Sequence, residues 1–519
     1  MLRLPRFSFV VAALTVVYAG ILTLVVSTGS RDTWMSRLLP TSLDDAINLA
    51  AHGHGHHDQH VFAGNTTITV TKTQTVTATA TATAVSVQTV VPKTPGPAYC
   101  KECSEDDLMC KEYGRHNLER SRGFEGTNER LKRILQKAAS GQPINIGVLG
   151  GSVTHGHAVV HPQVWTDIFF DWWNATYPHE ENVFVNGAVP ATGTAYFSVC
   201  ALEHIDESVD LVILELAIND LRGESSAMTY EWLIRSLLEL PHKPAIISTH
   251  VFSTHFEYLA TGGDNHLAVA QYYDIPYINL RHVLINHVLE HENLVSEFFR
   301  PQDPFPPNLP VDTRHMNRAG HKMMADLLIA YMQRQICRMA ADAESPIPPF
   351  VSQNNLLPTL DTMEQIPRLR LFERYVPTTR TPSVHSTCMS ARSKKHPLKP
   401  SKNNGWVEGT WNDKTYLLAR EPGSSLTFDM HVGPMGMVEL EYLRSKTFGL
   451  GIVRCWMGEN EAGGTLIDGY WEENLNIARS ATIAYGQTPG PSTVSCKILD
   501  TTNSPNGGHE FRMIALTSF

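Results

Sequence analysis

Ile144-Asn145-Ile146-Gly147-Val148-Leu149-Gly150-Gly151-Ser152-Val153-Thr154 is a short apolar run that ends in two glycines and a hydroxyl. The run at Ile144–Leu149 is too short for a helix and is bounded by Pro143 and Gly150, which marks a buried strand. Two glycines let the backbone turn sharply and leave Ser152 open at the C-terminal edge of a sheet, the edge at which α/β proteins place their ligands. Alone, a Gly-Gly-Ser turn is structural more often than catalytic. The chain carries no Gly-x-Ser-x-Gly at a strand-to-helix junction, so the nucleophile elbow of the α/β-hydrolases is excluded.

Around this turn, short apolar runs alternate with helical patterns. Val183–Val185, Leu211–Leu216, Ala245–Ser248 and Pro276–Leu280 read as further buried strands. Val164–Tyr177, Tyr230–Leu240 and Leu267–Tyr273 read as helices. Upstream, Leu131, Ile134, Leu135 and Ala138 share one helical face, and Gly141 and Pro143 stop that helix. A long helix, roughly Asn317 to Met339, closes the unit. The expected architecture is an α/β sandwich with a mainly parallel sheet.

Three more turns aim polar groups at the same edge. Asn186-Gly187 follows the second strand, and Ala217-Ile218-Asn219-Asp220 follows the third. Asp312-Thr-Arg-His315 immediately precedes the closing helix. A carboxylate three residues before an imidazole can reach Nδ1, which fixes the tautomer and turns Nε2 towards a nucleophile.

In order, these blocks resemble the SGNH, or GDSL-type, hydrolase superfamily, over about residues 125 to 340. The resemblance implies a flavodoxin-type three-layer α/β/α sandwich. It makes Ser152 the nucleophile, His315 the general base and Asp312 the partner that orients it. The oxyanion hole falls to the N–H groups of Ser152 and Gly187 and the side-chain amide of Asn219. No metal or cofactor is implied. Two departures stand out: Gly150-Gly151-Ser152 replaces Gly-Asp-Ser, and Ala217-Ile218-Asn219-Asp220 replaces Gly-x-Asn-Asp. With Asn117-x-x-x-Ser-Arg-Gly-Phe-Glu-Gly and Leu466-Ile-Asp-Gly-Tyr-Trp471, the wider chain looks like fungal membrane-anchored SGNH proteins associated with capsule or cell-wall polysaccharide. The implied activity is a serine esterase acting on acyl, chiefly acetyl, esters of glycans. The alternatives are a polysaccharide O-acetyltransferase using the same acyl-serine, and a non-catalytic glycan-binding scaffold.

Other residues near the motifs have structural readings. His155 and His157 read as satisfied loop histidines rather than assistants of Ser152. Trp165, Trp172 and Trp173 lie on one helix at core spacing, and Tyr470-Trp471 sits near turns where aromatics can stack on sugar rings.

Downstream, 345–401 is rich in Pro and basic residues and reads as a linker or a strap across the first domain. From Trp406, runs such as Leu426/Phe428/Met430, Val438/Leu440/Tyr442 and Val494/Cys496/Ile498 alternate at period two between glycine-containing turns. A C-terminal antiparallel β-sandwich is expected over 402–519, following an SGNH-like domain over 100–344. Eight cysteines form an even set. Cys455 and Cys496 fall in strand-like runs and are expected to bridge the two sheets of the sandwich. Cys100-x-x-Cys103 lacks a second CxxC and reads as disulfide rather than zinc.

Upstream, Phe7 to Ser27 is apolar and about long enough to cross a bilayer. Arg3 and Arg6 before it place the short tail, 1–6, on the cytoplasmic side. This predicts a single-pass type II membrane protein of the secretory pathway, Golgi or cell surface, with the bulk of the chain luminal or extracellular. A stem follows over 28–99, with a histidine-rich tract at His52–His57 and His60 that reads as solvated, a divalent metal being the alternative, and a Thr/Val/Ala stretch suited to O-glycosylation. The sequons at Asn65 and Asn174 fit that compartment. Across all 519 residues, 42 Lys and Arg stand against 52 Asp and Glu, a net charge of −10, which disfavours nucleic acid as a partner. The expected partners are an acylated glycan and a membrane.

Overall fold

The structure, a computed structural model, describes residues 98–519 apart from 102, 256–257, 300–310, 349–351, 361–363, 385 and 413. The tail, the span at 7–27, nearly all of the stem, the histidine tract and Asn65 lie outside the described residues. Among the described residues no helix is long and apolar enough to cross a membrane.

The first half of the unit is built on one sheet. After helices α1 (Leu108–Tyr113) and α2 (Arg115–Ser121) come β1 (Arg122–Phe124), α3 (Glu129–Ala139), β2 (Asn145–Gly150), α4 (Ser152–His155), α5 (Trp165–Thr176) and β3 (Val183–Asn186). Then follow α6 (Thr194–Cys200), β4 (Leu211–Glu215), α7 (Glu224–Leu238), β5 (Ala245–His250), α8 (Gly263–Tyr272), β6 (Tyr277–Asn279), α9 (Leu280–Glu290), α10 (Val295–Phe299) and α11 (Arg318–Glu344). The sheet runs β1-β6-β5-β4-β2-β3. All neighbours from β6 to β3 are parallel, and β1 joins antiparallel at the edge. Read without β1, this is the flavodoxin-type order, whose direction of winding reverses beside β2. The three-layer α/β/α sandwich is therefore the fold of this half.

Strand alternation explains the layers. Ile146, Val148, Ile213 and Ile247 face α3, α5 and α11 in one cluster, while Leu149, Val212, Leu214 and Ile246 face α6, α7 and α8 in another. Strands buried on both faces are apolar along most of their length, which is why these runs show no polar alternation. Trp165 and Trp173 are fully buried in the first cluster and Trp172 packs against it, so this trio serves the core.

The second half has eleven strands: β7 (Thr387–Ser390), β8 (Lys402–Asn404), β9 (Val407–Trp411), β10 (Lys414–Ala419), β11 (Ser425–Val432), β12 (Val438–Arg444), β13 (Ile452–Met457), β14 (Thr465–Asp468), β15 (Ile477–Ala484), β16 (Gly490–Ile498) and β17 (Phe511–Ser518). They form two antiparallel sheets, β15-β12-β17-β10-β9 with β7 on β17, and β14-β13-β16-β11-β8, packed over a common core. All eight residues of β17 are buried. Met513 and Leu516 face the sandwich core, while Ile514 and Ala515 join the cluster beneath α6 and α7. One sheet thus has both faces covered, and its outer cover is the α/β unit.

The stretch 345–401 crosses the α/β unit and then supplies β7 to the sandwich. Its backbone accepts hydrogen bonds at Pro367 O from Arg235 (2.8 Å) and at Leu369 O from Tyr272 (3.0 Å), and Arg370 lies 4.2 Å over the Trp232 ring.

Four disulfides are present: Cys100–Cys337, Cys103–Cys110, Cys200–Cys388 and Cys455–Cys496. The last joins the expected pair, but the expected placement is corrected. Cys455 and Cys496 are register partners on neighbouring strands β13 and β16, so the bridge lies within one sheet. Period-two alternation correctly turns both sulfurs inward, but it carries no information about which strands are neighbours. Cys100 and Cys103 are each bridged elsewhere, which leaves no thiolate for zinc.

Candidate active site

Ser152 opens α4 directly after β2, at the point where the sheet reverses its winding. The two preceding glycines are required by close approach. A Cβ on Gly150 would stand 2.4 Å from Thr154 Oγ1, and one on Gly151 would stand 2.1 Å from Asn219 Nδ2. The space a side chain at 151 would fill is taken by the Asn219 amide.

The short helix is held from three sides. Gly151 N–H donates to Glu215 O (3.3 Å) and the Thr154 hydroxyl donates to the Glu215 carboxyl (2.8 Å). Trp165 Nε1 reaches Thr154 Oγ1 at 3.3 Å. Asn186 Nδ2 donates to Thr154 O (2.8 Å). Burial pushes the Glu215 carboxyl up to about 8 against the opposing Thr154 hydrogen bonds, which favours its neutral form.

His315 reaches this turn from the other end of the chain. The Ser152 hydroxyl lies 2.8 Å from His315 Nε2, and His315 Nδ1 lies 2.5 Å from Asp312 Oδ2. Ser152 is largely buried. Burial would raise the Asp312 carboxyl, but the hydrogen bond and charge of His315, the Arg314 N–H at 2.9 Å and the Arg314 charge hold it well below the usual carboxylate range. Asp312 is therefore ionised at neutral pH. The turn is fixed because Asn317, fully buried, caps α11: its Oδ1 accepts from Ala319 N–H (2.9 Å) and Gly320 N–H (3.3 Å), and its Nδ2 donates to Glu297 O (2.8 Å).

A hydroxyl, an imidazole and a carboxylate in this chain are the arrangement by which a weak alcohol nucleophile is activated. Asn219 is in place beside it. Its Nδ2 donates one hydrogen to Thr192 O at 2.8 Å, and a planar amide so tied has the direction of its second hydrogen set.

Gly187 does not belong to the group. Its N–H donates to Val148 O at 2.8 Å, continuing the β2–β3 ladder, so that donor is already used. Gly187 is a packing glycine instead, since a Cβ there would stand 2.7 Å from His204 O. The sequence showed a turn after β3 but not how far the ladder ran into it. The same turn contributes Asn186, named with Gly187 in the sequence, and, further on, Thr192, which the reading of the sequence did not single out. His157 lies near the site, its ring centroid 5.1 Å from that of His315, whereas His155 is exposed. Behind Asn219, Asp220 accepts from Thr194 N–H and pairs with His266, both at 2.8 Å, with His266 stacked 4.0 Å over Tyr230. Among the described residues, the one group with metal-ligand proximity is Cys103, Asp107 and Cys110, and its cysteines are bridged to each other.

In the sandwich, Tyr470 is buried, and Trp471 lies near two guanidiniums, Arg444 at 5.1 Å and Arg479 at 5.2 Å. Asn174, the described sequon, is partly exposed near the end of α5, with its Oδ1 accepting from Asn182 Nδ2 at 2.9 Å.

No family model matches the chain, and no curated protein matches it. Two solved structures resemble it over both halves. One is a two-domain esterase active on acetylated mannans, co-crystallized with mannopentaose, with a TM-score of 0.55 and 19% identity over 77% of this chain and 97% of that one. The second, a two-domain esterase active on acetylated mannans, has a TM-score of 0.54 and 19% identity over 77% of this chain and 98% of that one. The shared property is the fold.

Proposed function

We propose that this chain is a serine esterase of the SGNH type that removes acyl groups, chiefly acetyl, from glycans. The observation that carries the reading is the unbroken relay from Asp312 through His315 to Ser152, with 2.5 and 2.8 Å contacts. The sharing of a two-domain fold with an esterase active on acetylated mannans supports an acetylated glycan as substrate class.

In this mechanism Ser152 Oγ attacks the acyl carbon while His315 Nε2 takes its proton, and Asp312 stabilises the imidazolium. The oxyanion is met by the Ser152 N–H and the second N–H of Asn219. The C–O bond to the sugar breaks, the sugar oxygen takes the proton from His315, and acyl-Ser152 remains. Water, deprotonated by His315, then attacks the acyl carbon; the bond to Ser152 Oγ breaks, His315 returns the proton to Oγ, and the carboxylic acid leaves. A sugar hydroxyl in place of that water gives the O-acetyltransferase reaction from the same intermediate.

The full reading tethers this unit to a membrane through Phe7–Ser27 and sets it on the luminal side, facing capsule or cell-wall polysaccharide. Glycosylation at Asn174 and protection of a C-terminal tag in sealed vesicles are the expected signs; an accessible tag with unmodified Asn174 overturns that placement. The activity is tested by incubating the purified protein with an acetylated glycan or an aryl acetate, with and without a sugar acceptor. Free acetate is expected to rise with Ser152 present and not with Ser152→Ala. Acetylated acceptor in place of free acetate identifies the transferase, and turnover that survives Ser152→Ala rejects both.

A further inference from the structure

The turn that holds Asn219 is itself held by the other half of the molecule. Ala191 in that turn has φ 60°, a left-handed conformation that costs a residue with a Cβ ~1–2 kcal/mol, so it persists only where its surroundings impose it. Two of its anchors come from the β module. Ala478 N–H in β15 donates to Ala191 O at 3.2 Å. Arg392, two residues beyond β7, sends Nη1 to Thr192 Oγ1 (2.8 Å) and to Pro190 O (3.2 Å).

Arg392 is well rooted for this task. Its backbone N–H donates to Ser390 Oγ at 3.1 Å, Ser390 pairs with Ala515 of β17, and the guanidinium lies 5.4 Å from the Tyr416 ring centroid. Thr192 is fully buried, and its hydroxyl lies 3.3 Å from Pro190 O, so the hydrogen has an acceptor there while the lone pair receives Arg392. The Thr192 carbonyl then accepts from Asn219 Nδ2 at 2.8 Å. The connection runs from Arg392 to Thr192 to Asn219, whose amide lies against Gly151, next to Ser152.

We propose that Arg392 is a positioning residue for acyl transfer, through which the C-terminal β module sets the aim of the Asn219 amide. This rests on the esterase reading above. Arg392 touches no substrate. It acts by fixing the Thr192 carbonyl, whose hydrogen bond determines where the free N–H of Asn219 points. A displaced donor weakens stabilisation of the oxyanion and leaves ground-state binding of the ester alone, so the loss falls on kcat.

The test is a double-mutant cycle on the full chain with an aryl acetate. Arg392→Ala is expected to lower kcat by about 10- to 100-fold with little change in KM, and to slow fluorophosphonate labelling of Ser152 in proportion. In an Asn219→Ala background the same substitution is expected to cost less than about threefold, because there is no amide left to aim. Thr192→Val keeps the backbone carbonyl and the side-chain volume but removes the acceptor for Arg392, and serves in the same cycle should Arg392→Ala fail to fold; its expected kcat loss is about tenfold. An equal loss with and without Asn219, or a rise in KM alone, overturns the proposal. If Asn219→Ala alone costs nothing, the oxyanion assignment fails instead, and the two failures are thereby separated.

Discussion

At the scale of single residues, the site depends on what occupies the space beside Ser152. Gly151→Ala places a methyl where Asn219 Nδ2 now stands, 2.1 Å from the ideal Cβ position. The amide must move, so the substitution should resemble Asn219→Ala, with a loss of ~10²–10³ in kcat while Ser152 and His315 stay paired. Steady-state kinetics on an aryl acetate and retention of slow fluorophosphonate labelling check this. A Gly151→Ala enzyme with wild-type kcat would show that the Asn219 amide takes no part. Gly187→Ala is expected to behave differently: its N–H is used in the sheet, so the cost should appear as lowered melting temperature from the clash with His204 rather than as a selective loss of kcat.

At the scale of elements, α4 carries the nucleophile and the turn that leads into α11 carries the base, and each has a polar anchor. Asn317→Ala removes the cap of α11 and the hydrogen bond to the Glu297 carbonyl, a change expected to cost about 1–2 kcal/mol in a urea titration. Beneath α4, Glu215 is pushed up to about 8 by burial, and Glu441 in β12 likewise to about 8. Both carboxyls titrate near ~4.3 when unfolded, so the neutral folded forms contribute fully at low pH and lose that contribution as pH rises through about 8. Glu215→Gln keeps a partner for the Thr154 hydroxyl and does not ionise. Its melting temperature relative to wild type should therefore climb between pH 5 and pH 9, and parallel curves would mean that Glu215 is already ionised in the folded protein. Elements were well marked in the sequence where apolar runs were continuous. β2, β4 and β5 lie where expected because strands covered on both faces are largely apolar, with polar residues gathered at their ends. α7 begins six residues earlier than its apolar pattern, at Glu224, since its first turn follows Gly223 and packs near Thr194 and Asp220 rather than into an apolar face. The edge strand β1 escaped notice because three residues are too few to show a period.

At the scale of the whole molecule, the two halves behave as one body. Cys200 at the end of α6 is bridged to Cys388 in β7, 188 residues away, and Ile514 and Ala515 of β17 share a core with α6 and α7. Replacing both cysteines by serine should cost about 2–4 kcal/mol. Scanning calorimetry should still show one transition, because the shared core remains; two resolved transitions would mean that the halves fold independently.

The sequence alone marked the layered α/β unit and the antiparallel sandwich through periodicity and through turns placed after strands, both of which are local in the chain. Ser152, Asp312, His315 and Asn219 were marked as a set by the resemblance of their blocks to the SGNH superfamily. Tertiary structure decided the rest. Hydrogen-bond ownership is not local: whether the Gly187 N–H is free depends on how far β3 pairs with β2, and the role of Thr192 depends on an arginine 200 residues downstream. Strand neighbours are not local either, which is why Cys455 and Cys496 were recognisable as inward-facing but their common sheet was not. Residue type and spacing record which chemistry a chain can perform; which of its donors remain unspent is settled only when distant segments have claimed the others.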